Sequence, residues 1–265
     1  MPIIGLTDQG ARLPLLGKIR KGAEKTSANK PGADLNSFRI TSDNPDILKS
    51  FEESHSHLGG LLPRKIGVIL PYPTVDQNLE AWMEEWSGNS LIRRCDGQEQ
   101  SLYLQGNKYS QKPIPCLGCD KNGCKTTGRL RVLIPSLRDY VGFFELETHS
   151  KWDVKHIAES LTAIEAMVGT LQGIPLVLSR VEREISTPGF KEGDSRRRVK
   201  KSLISLSIHK TLSQPIMTAF ETAALLRIKG YQPAAGAIAP TDDLQKKITP
   251  SDWQQVAAMT VMENQ

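Results

Sequence analysis

The segment CLGCDKNGCK, Cys116–Lys125, constrains the fold more than any other stretch. It places three of the chain's four cysteines within nine positions, separated by glycine and polar residues. Cys116 and Cys119 form a C-x2-C pair, Cys124 follows after four residues, and the remaining Cys95 lies upstream in RRCDG. Zinc takes four ligands at the corners of a tetrahedron and favours thiolates. Gly118 and Gly123 let the backbone turn tightly enough to aim several sulfurs at one ion, and Lys121 and Lys125 offset part of the thiolate charge. Cys95, Cys116, Cys119 and Cys124 are therefore the candidate ligands of a structural zinc ion (Zn2+). Cys95 enters as the only cysteine left, and His55, His57 and Asp120 are rivals for that fourth place. The flanks KPIPC and DKNG read as loop, whereas a thioredoxin-type pair opens a helix after a strand. A catalytic zinc needs an open position and a nearby base, and the chain has neither H-E-x-x-H nor H-x-E with a matching C-x2-C.

Four cysteines in 265 residues are too few for a disulfide scaffold. The N-terminal stretch lacks the basic, apolar and small-residue order of a secretory signal, so the expected setting is reducing and cytoplasmic. With 38% hydrophobic and 24% charged residues the chain has enough apolar side chains for a packed core. No apolar run approaches the roughly 20 residues of a membrane span, and no membrane association is expected.

Read for periodicity, the chain divides into an irregular N-terminal arm over 1–36, a core over 37–210 and a helical region over 211–265. In the core, SFRIT (37–41) and KIGVILPYP (65–73) read as strands, and NPDILKSFEESH reads as a capped helix. VDQNLEAWMEEWSG (75–88) reads as a helix, because Leu79, Trp82, Met83 and Trp86 recur at steps of three and four; both tryptophans then belong to the core. SLIRRCDG returns as a strand and turn, giving 65–97 a β–α–β flavour. RLRVLIP (129–135) and VGFFELETHS (141–150) read as an antiparallel pair, and WDVKHIAESLTAIEAMVGTLQ (152–172) as an amphipathic helix stopped by Gly173 and Pro175. IPLVLSRVEREIS (174–186) and KKSLISLSIH (200–209) form a long hairpin. Further helices are expected at 214–230 and 249–260. The fold class is α+β: a mixed or antiparallel sheet with helices, a ferredoxin- or RRM-like core drawn from 129–186, a zinc knuckle inserted over 95–124 and C-terminal helices.

Net charge is +5, and most of it sits in KEGDSRRRVKK, 191–201, with six basic and two acidic residues. Lys191, Arg196, Arg197, Arg198, Lys200 and Lys201 are the candidate nucleic-acid contacts, on the basic hairpin 187–201. The same run also reads as a solvated loop tip. No phosphate-binding loop, nucleophile elbow or dinucleotide fingerprint occurs. His149 and His156 read as surface or capping residues, and no nucleophile–base–orienter set emerges. The chain reads as a non-enzyme.

Several segments in order resemble a known family. They are L-P-x-L-G-x-I-R-x-G (Leu13, Pro14, Leu16, Gly17, Ile19, Arg20, Gly22), P-G-x-x-L-x-x-F-R-I-T-S (Pro31 to Ser42), Gly59–Gly60, R-C-D-G (Arg94 to Gly97), the cysteine element, and R-L-x-V-x-I-P (Arg129 to Pro135). Together they are similar to the phage recombination directionality factors that accompany large serine integrases, over roughly residues 12–210. The resemblance implies a switch protein that binds a DNA-bound integrase and changes which attachment-site synapse is productive. It aligns the four cysteines with the family's metal-like element and the basic hairpin with a variable basic region. The expected function is a zinc-stabilised accessory factor for site-specific DNA recombination, with an integrase as partner and a DNA or RNA backbone as a further contact. The alternative is an RRM-like nucleic-acid-binding subunit resembling the RAMP proteins of CRISPR effectors, gripping single strands with the basic hairpin. Aromatic residues make up only 6%, which leaves few for base stacking. A zinc-dependent hydrolase is the third reading.

Overall fold

A computed structural model describes residues 13–24, 32–106, 108–116, 118, 123–187, 196–210 and 213–214. The elements run β1 (Leu15–Gly22), β2 (Asp34–Thr41), α1 (Pro45–Ser54), a 3₁₀ turn, β3 (Lys65–Ile69), α2 (Val75–Asn78), β4 (Leu79–Ser87), β5 (Ser90–Cys95), β6 (Glu99–Gln105), β7 (Lys108–Ser110), β8 (Ile114–Pro115), β9 (Lys125–Val132), a second 3₁₀ turn, β10 (Phe143–Thr148), α3 (Lys151–Val168), β11 (Pro175–Thr187) and β12 (Arg197–Ile208). The fold is α+β, with a large mixed sheet and few helices.

Among the described residues nine strands form the large sheet, in the order β2-β1-β10-β9-β4-β5-β6-β7, with β8 added beside β6. β1 and β10 pair in parallel; the other pairings in this sheet are antiparallel. A second sheet, β12-β11-β3, is antiparallel throughout. The bridge between Ile69 and Leu133 links the two sheets.

The core lies between them and under α3. Ile19, Phe38, Leu130, Val132, Phe144 and Leu146 come from the large sheet, Val68, Leu176, Leu178 and Ile204 from the small one, and Ile157, Leu161 and Ile164 from α3. Each such side chain contributes about 1.5–3 kcal/mol on leaving water. Asp153 ties the layers together from the first turn of α3. It is fully buried; Oδ1 accepts from the Ile204 amide on β12 at 2.9 Å, and Oδ2 accepts from the Thr148 hydroxyl on β10 at 2.9 Å and from Lys21 Nζ on β1 at 2.6 Å.

Four expectations change. The 75–88 helix stops at Asn78, and Leu79–Ser87 is strand β4. Gly88, at φ 57°, supplies the first position of a two-residue turn into β5 that pairs Ser87 with Ser90. The arm expected to be irregular contains β1, whose Ile19 is fully buried between its neighbours. The order β9-β10-α3-β11 is present, yet β11 joins β3 and β12 in the second sheet, so these elements do not share the single sheet of a ferredoxin-like core. Finally, α3 ends at Gly169, with φ 80°, four residues before Gly173. The helices expected within 214–230 and 249–260 lie almost wholly outside the described residues.

Candidate functional site: a thiol cluster, a charged sheet face and a basic arm

Cys95 ends β5 and is buried. The next turn is fixed by Asp96, whose Oδ1 accepts from the Gln98 and Glu99 amides at 2.7 and 2.8 Å; these bonds hold the Asp96 carboxyl below its ordinary pKa. The chain comes back along β8, and the Cys116 amide donates to Gln98 O at 2.7 Å. Cys95 Sγ and Cys116 Sγ thereby come to 3.7 Å from each other, too far for a disulfide. Arg93, two residues before Cys95, hydrogen-bonds Cys124 and ion-pairs with Glu85 at 2.6 Å. Burial disfavours its charge, but Cys124, Glu85 and Cys116 outweigh that and raise its pKa. Gly118 and Gly123 adopt φ 92° and 72°, the left-handed turns that the loop between the thiols requires.

Arg93 thus interacts with Cys124 and Cys116, Cys95 approaches Cys116, and Cys119 lies outside the described residues. Among the described residues no set of three or more His, Cys, Asp or Glu side chains is gathered closely enough to hold a metal ion. Of the rivals to Cys95, His55 is engaged elsewhere: it is buried at the end of α1, its Nδ1 2.8 Å from Phe51 O, with its pKa lowered by burial. His57 sits on the turn beside it, and Asp120 lies outside the described residues.

The face of the large sheet turned away from α3 carries charges in rows that change sign from strand to strand. Lys18 and Arg20 on β1 are followed by Glu145 and Glu147 on β10, Arg129 and Arg131 on β9, Glu80 and Glu84 on β4, and Arg94 on β5. Lys18 meets Glu145 and Glu147 at 3.6 and 3.4 Å, and Arg131 meets Glu80 at 2.8 Å. Glu84 is the hub. Its two oxygens accept from Arg129 at 2.9 and 2.8 Å, from Arg94 at 2.9 Å and from Trp86 Nε1 at 3.0 Å. Burial pushes its carboxyl up, but these bonds and the two guanidinium charges prevail and hold it at about 2. Glu147 is likewise held at about 2, first by its bond to His149, whose own pKa is raised by the same contact. Trp82 lies half-buried under Arg94, and Trp86 is 49% exposed, so these tryptophans line the charged face and are not core.

The third feature is the β11–β12 hairpin, which pairs residue by residue from Leu176–Ile208 out to Thr187–Arg197. Arg197, Arg198, Lys200 and Lys201 stand on β12, exposed: Lys200 and Lys201 fall on the strand expected from 200 onward, whereas Arg197 and Arg198 extend it into the expected loop tip; 188–195, including Lys191, lie outside the described residues. Arg196 donates to the Ser186 hydroxyl at 2.9 Å, and Arg198 faces Glu184 at 3.8 Å.

The family model of Gp3-like proteins, described as recombination directionality factor-like, matches residues 16–208. The chain belongs to that family. No curated protein and no solved structure matches it. Recombination directionality factors are in general accessory, non-catalytic proteins that work with recombination proteins. The matched span begins within β1 and ends with β12, so it contains the thiols, the charged face and the basic hairpin together. Nothing in the match favours the RAMP-like reading. No helix among the described residues is long and apolar enough to cross a membrane. The charged face of this recombination directionality factor-like fold escaped the sequence reading. Its signal was the alternation Glu80, Trp82, Glu84, Trp86, facing Arg129 and Arg131 two apart.

Proposed function

We propose that the chain is a zinc-stabilised accessory factor that sets the direction of site-specific DNA recombination by binding a serine integrase. The observation that carries this reading is the family match, which spans the whole described two-sheet body. Such a factor does no bond chemistry. It binds one arrangement of the integrase–DNA complex more tightly than another and shifts the populations. Turning a 1:99 mixture into 99:1 requires a differential affinity of about 10⁴-fold, or about 5.5 kcal/mol. A rigid body with a large buried core suits that task, because a pliant one would yield instead of discriminating.

The reading in favour of zinc is supported by one pair of sulfurs, Cys95 and Cys116, and by the chemistry of the four cysteines. Four thiolates about 2.3 Å from one zinc ion stand about 3.8 Å apart, close to the 3.7 Å between Cys95 and Cys116. The Arg93 contact to Cys124 is the kind of outer hydrogen bond that steadies thiolate ligands. Cys95, Cys116, Cys119 and Cys124 would hold the ion, which would pin β5, β8 and the start of β9 to one another. Arg196, Arg197, Arg198, Lys200 and Lys201, with Lys191, are proposed to lie along the nearby DNA backbone, adding affinity without reading sequence.

The deciding experiment is recombination in vitro with a purified cognate serine integrase. Adding the chain at equimolar amounts should switch on excision and suppress insertion. If both rates stay unchanged at saturating chain, the reading fails.

A further inference from the structure

The two runs that open the family resemblance, L-P-x-L-G-x-I-R-x-G and F-R-I-T-S, are brought to one place by the β1–β2 pairing. They border a cavity of about 460 Å³ between the start of β1, the end of β2, the first turn of α1 and Tyr140. The size falls within the ordinary range of ligand pockets and admits a few side chains. Its apolar lining is Leu15, Leu16, Ile47 and Tyr140. Leu15 is 50% exposed, and Val141, beside Tyr140, is 76% exposed. The frame is held: the Ser42 hydroxyl donates to Leu16 O at 2.5 Å, and Asn44 caps α1 by accepting from the Asp46 amide at 2.9 Å.

The lining has two cations, Lys18 and Arg20, against one acid, Asp43. Lys18 is drawn to Glu145 and Glu147. Arg20 reaches Glu147 only at 4.0 Å, the outer limit of an ion pair, so this five-donor guanidinium is weakly engaged there. The positive end of the α1 dipole adds to the same field. An apolar floor with a cation at its rim suits an apolar segment that also bears a carboxylate. It does not suit a nucleic-acid backbone, which needs a continuous row of cations and no apolar floor.

We propose that this cavity is where the recombination partner docks: a segment of that protein seats adjacent apolar side chains against Leu15, Leu16, Ile47 and Tyr140 and sets a carboxylate on Arg20. The proposal rests on the integrase-binding reading and adds the surface and the chemistry of the partner's segment. Leu15→Asp and Arg20→Gln test it, with Leu61→Asp as the control, since Leu61 is 76% exposed and is not part of the cavity. Binding to the cognate integrase is measured by biolayer interferometry and folding by thermal unfolding. Each test variant should weaken binding about tenfold or more at unchanged Tm, and the control should bind as the parent does. A parent chain that fails to bind integrase at all sinks the functional reading; a parent that binds, with both variants within twofold of it, sinks this docking site alone. If a variant loses Tm, amide NMR of the parent decides. Integrase-induced shifts at Leu15, Leu16 and Tyr140 uphold the site, and shifts confined to other residues, or the same shifts produced by duplex DNA alone, overturn it.

Discussion

Cys95 Sγ and Cys116 Sγ lie 3.7 Å apart although 21 residues separate them in the chain. The approach is enforced by backbone, through the Asp96 turn and the bond from the Cys116 amide to Gln98 O, and does not depend on any sulfur chemistry. A thiol pair preformed in this way lowers the ordering cost of capturing an ion.

The purified chain should therefore carry one zinc per molecule by elemental analysis. Cys95→Ser and Cys119→Ser should each lose the metal and lower Tm by about 5 °C or more, because metal affinity at a structural site is folding free energy. Zinc below a tenth of an equivalent in a chain purified without chelator, or a Cys95→Ser variant with the parent's Tm, would falsify the zinc assignment.

Glu84 should be the costliest single charge to remove. Glu84→Gln leaves Arg129 and Arg94 without their shared counter-charge in a buried setting, an expected loss of about 3–5 kcal/mol in urea unfolding. The pH dependence follows from the carboxyls of Glu84 and Glu147, both held at about 2 against an ordinary 4.5. Unfolding lets them bind protons, so their stabilisation is complete above about pH 4.5 and is lost as pH falls towards 2. Between those limits the stability of Glu84→Gln should depend less steeply on pH than that of the parent. Equal slopes would show that Glu84 does not titrate as described.

The long hairpin, α1, α3 and the β9–β10 pair were legible because their information is local: a cap before α1, a 3.6-residue stripe through Ile157, Leu161 and Ile164, and alternation along β11 and β12. β4 was misread because Leu79, Trp82, Met83 and Trp86 satisfy a helical period while Glu80, Trp82, Glu84 and Trp86 satisfy a strand period. What decides between them is the row of arginines waiting on β5 and β9, a non-local fact that no window of the sequence contains. β1 was hidden for the same reason, since a short run with glycine and three cations becomes a strand only between β2 and β10. The clustering of Cys116 with Cys124 is visible in the spacing; the adjacency of Cys95 depends on how β5 and β8 flank β6.

Asp153 should separate charge from hydrogen bonding. Asp153→Asn keeps an acceptor for the Ile204 amide but loses the Lys21 ion pair, whereas Asp153→Ala loses both. The expected costs are about 1–3 kcal/mol for Asn and about 3–5 kcal/mol for Ala. Hydrogen exchange at the Ile204 amide should accelerate strongly in the Ala variant and only slightly in the Asn variant. Parent-like protection in Asp153→Ala would mean that this carboxylate does not bind the edge of β12.

His149 provides a titration readout of the charged face. Its contact with Glu147, 3.3 Å from Nε2 to Oε1, raises its pKa above the ordinary 6.5. The stabilisation from the charged imidazole is then complete below about pH 6.5 and is lost as pH rises through the folded value. Glu147→Gln should bring the His149 titration, followed by NMR, back down towards 6.5, and an unmoved titration would remove the pairing.

The basic arm is the most direct test of nucleic-acid contact. Arg197, Arg198, Lys200 and Lys201 stand on a paired strand, so their Cα positions are fixed over about 3.4 Å per residue, a spacing that lets alternate side chains follow successive phosphates. Glu184 on β11 stands opposite Lys200 and faces Arg198 at 3.8 Å, so one substitution should matter little: Arg198→Ala also releases Glu184 and is expected to change DNA affinity by less than about threefold. Replacing all four with Gln is a different case. If the arm follows the backbone, each lost phosphate contact removes about 0.9 from the slope of log affinity against log salt, and the fourfold variant should lose a slope of about 2 or more. The measurement is fluorescence anisotropy on a random duplex from 50 to 200 mM salt, with and without integrase. Equal slopes for the parent and the fourfold variant in both conditions would leave the arm as a solvated hairpin and assign DNA proximity to the integrase alone.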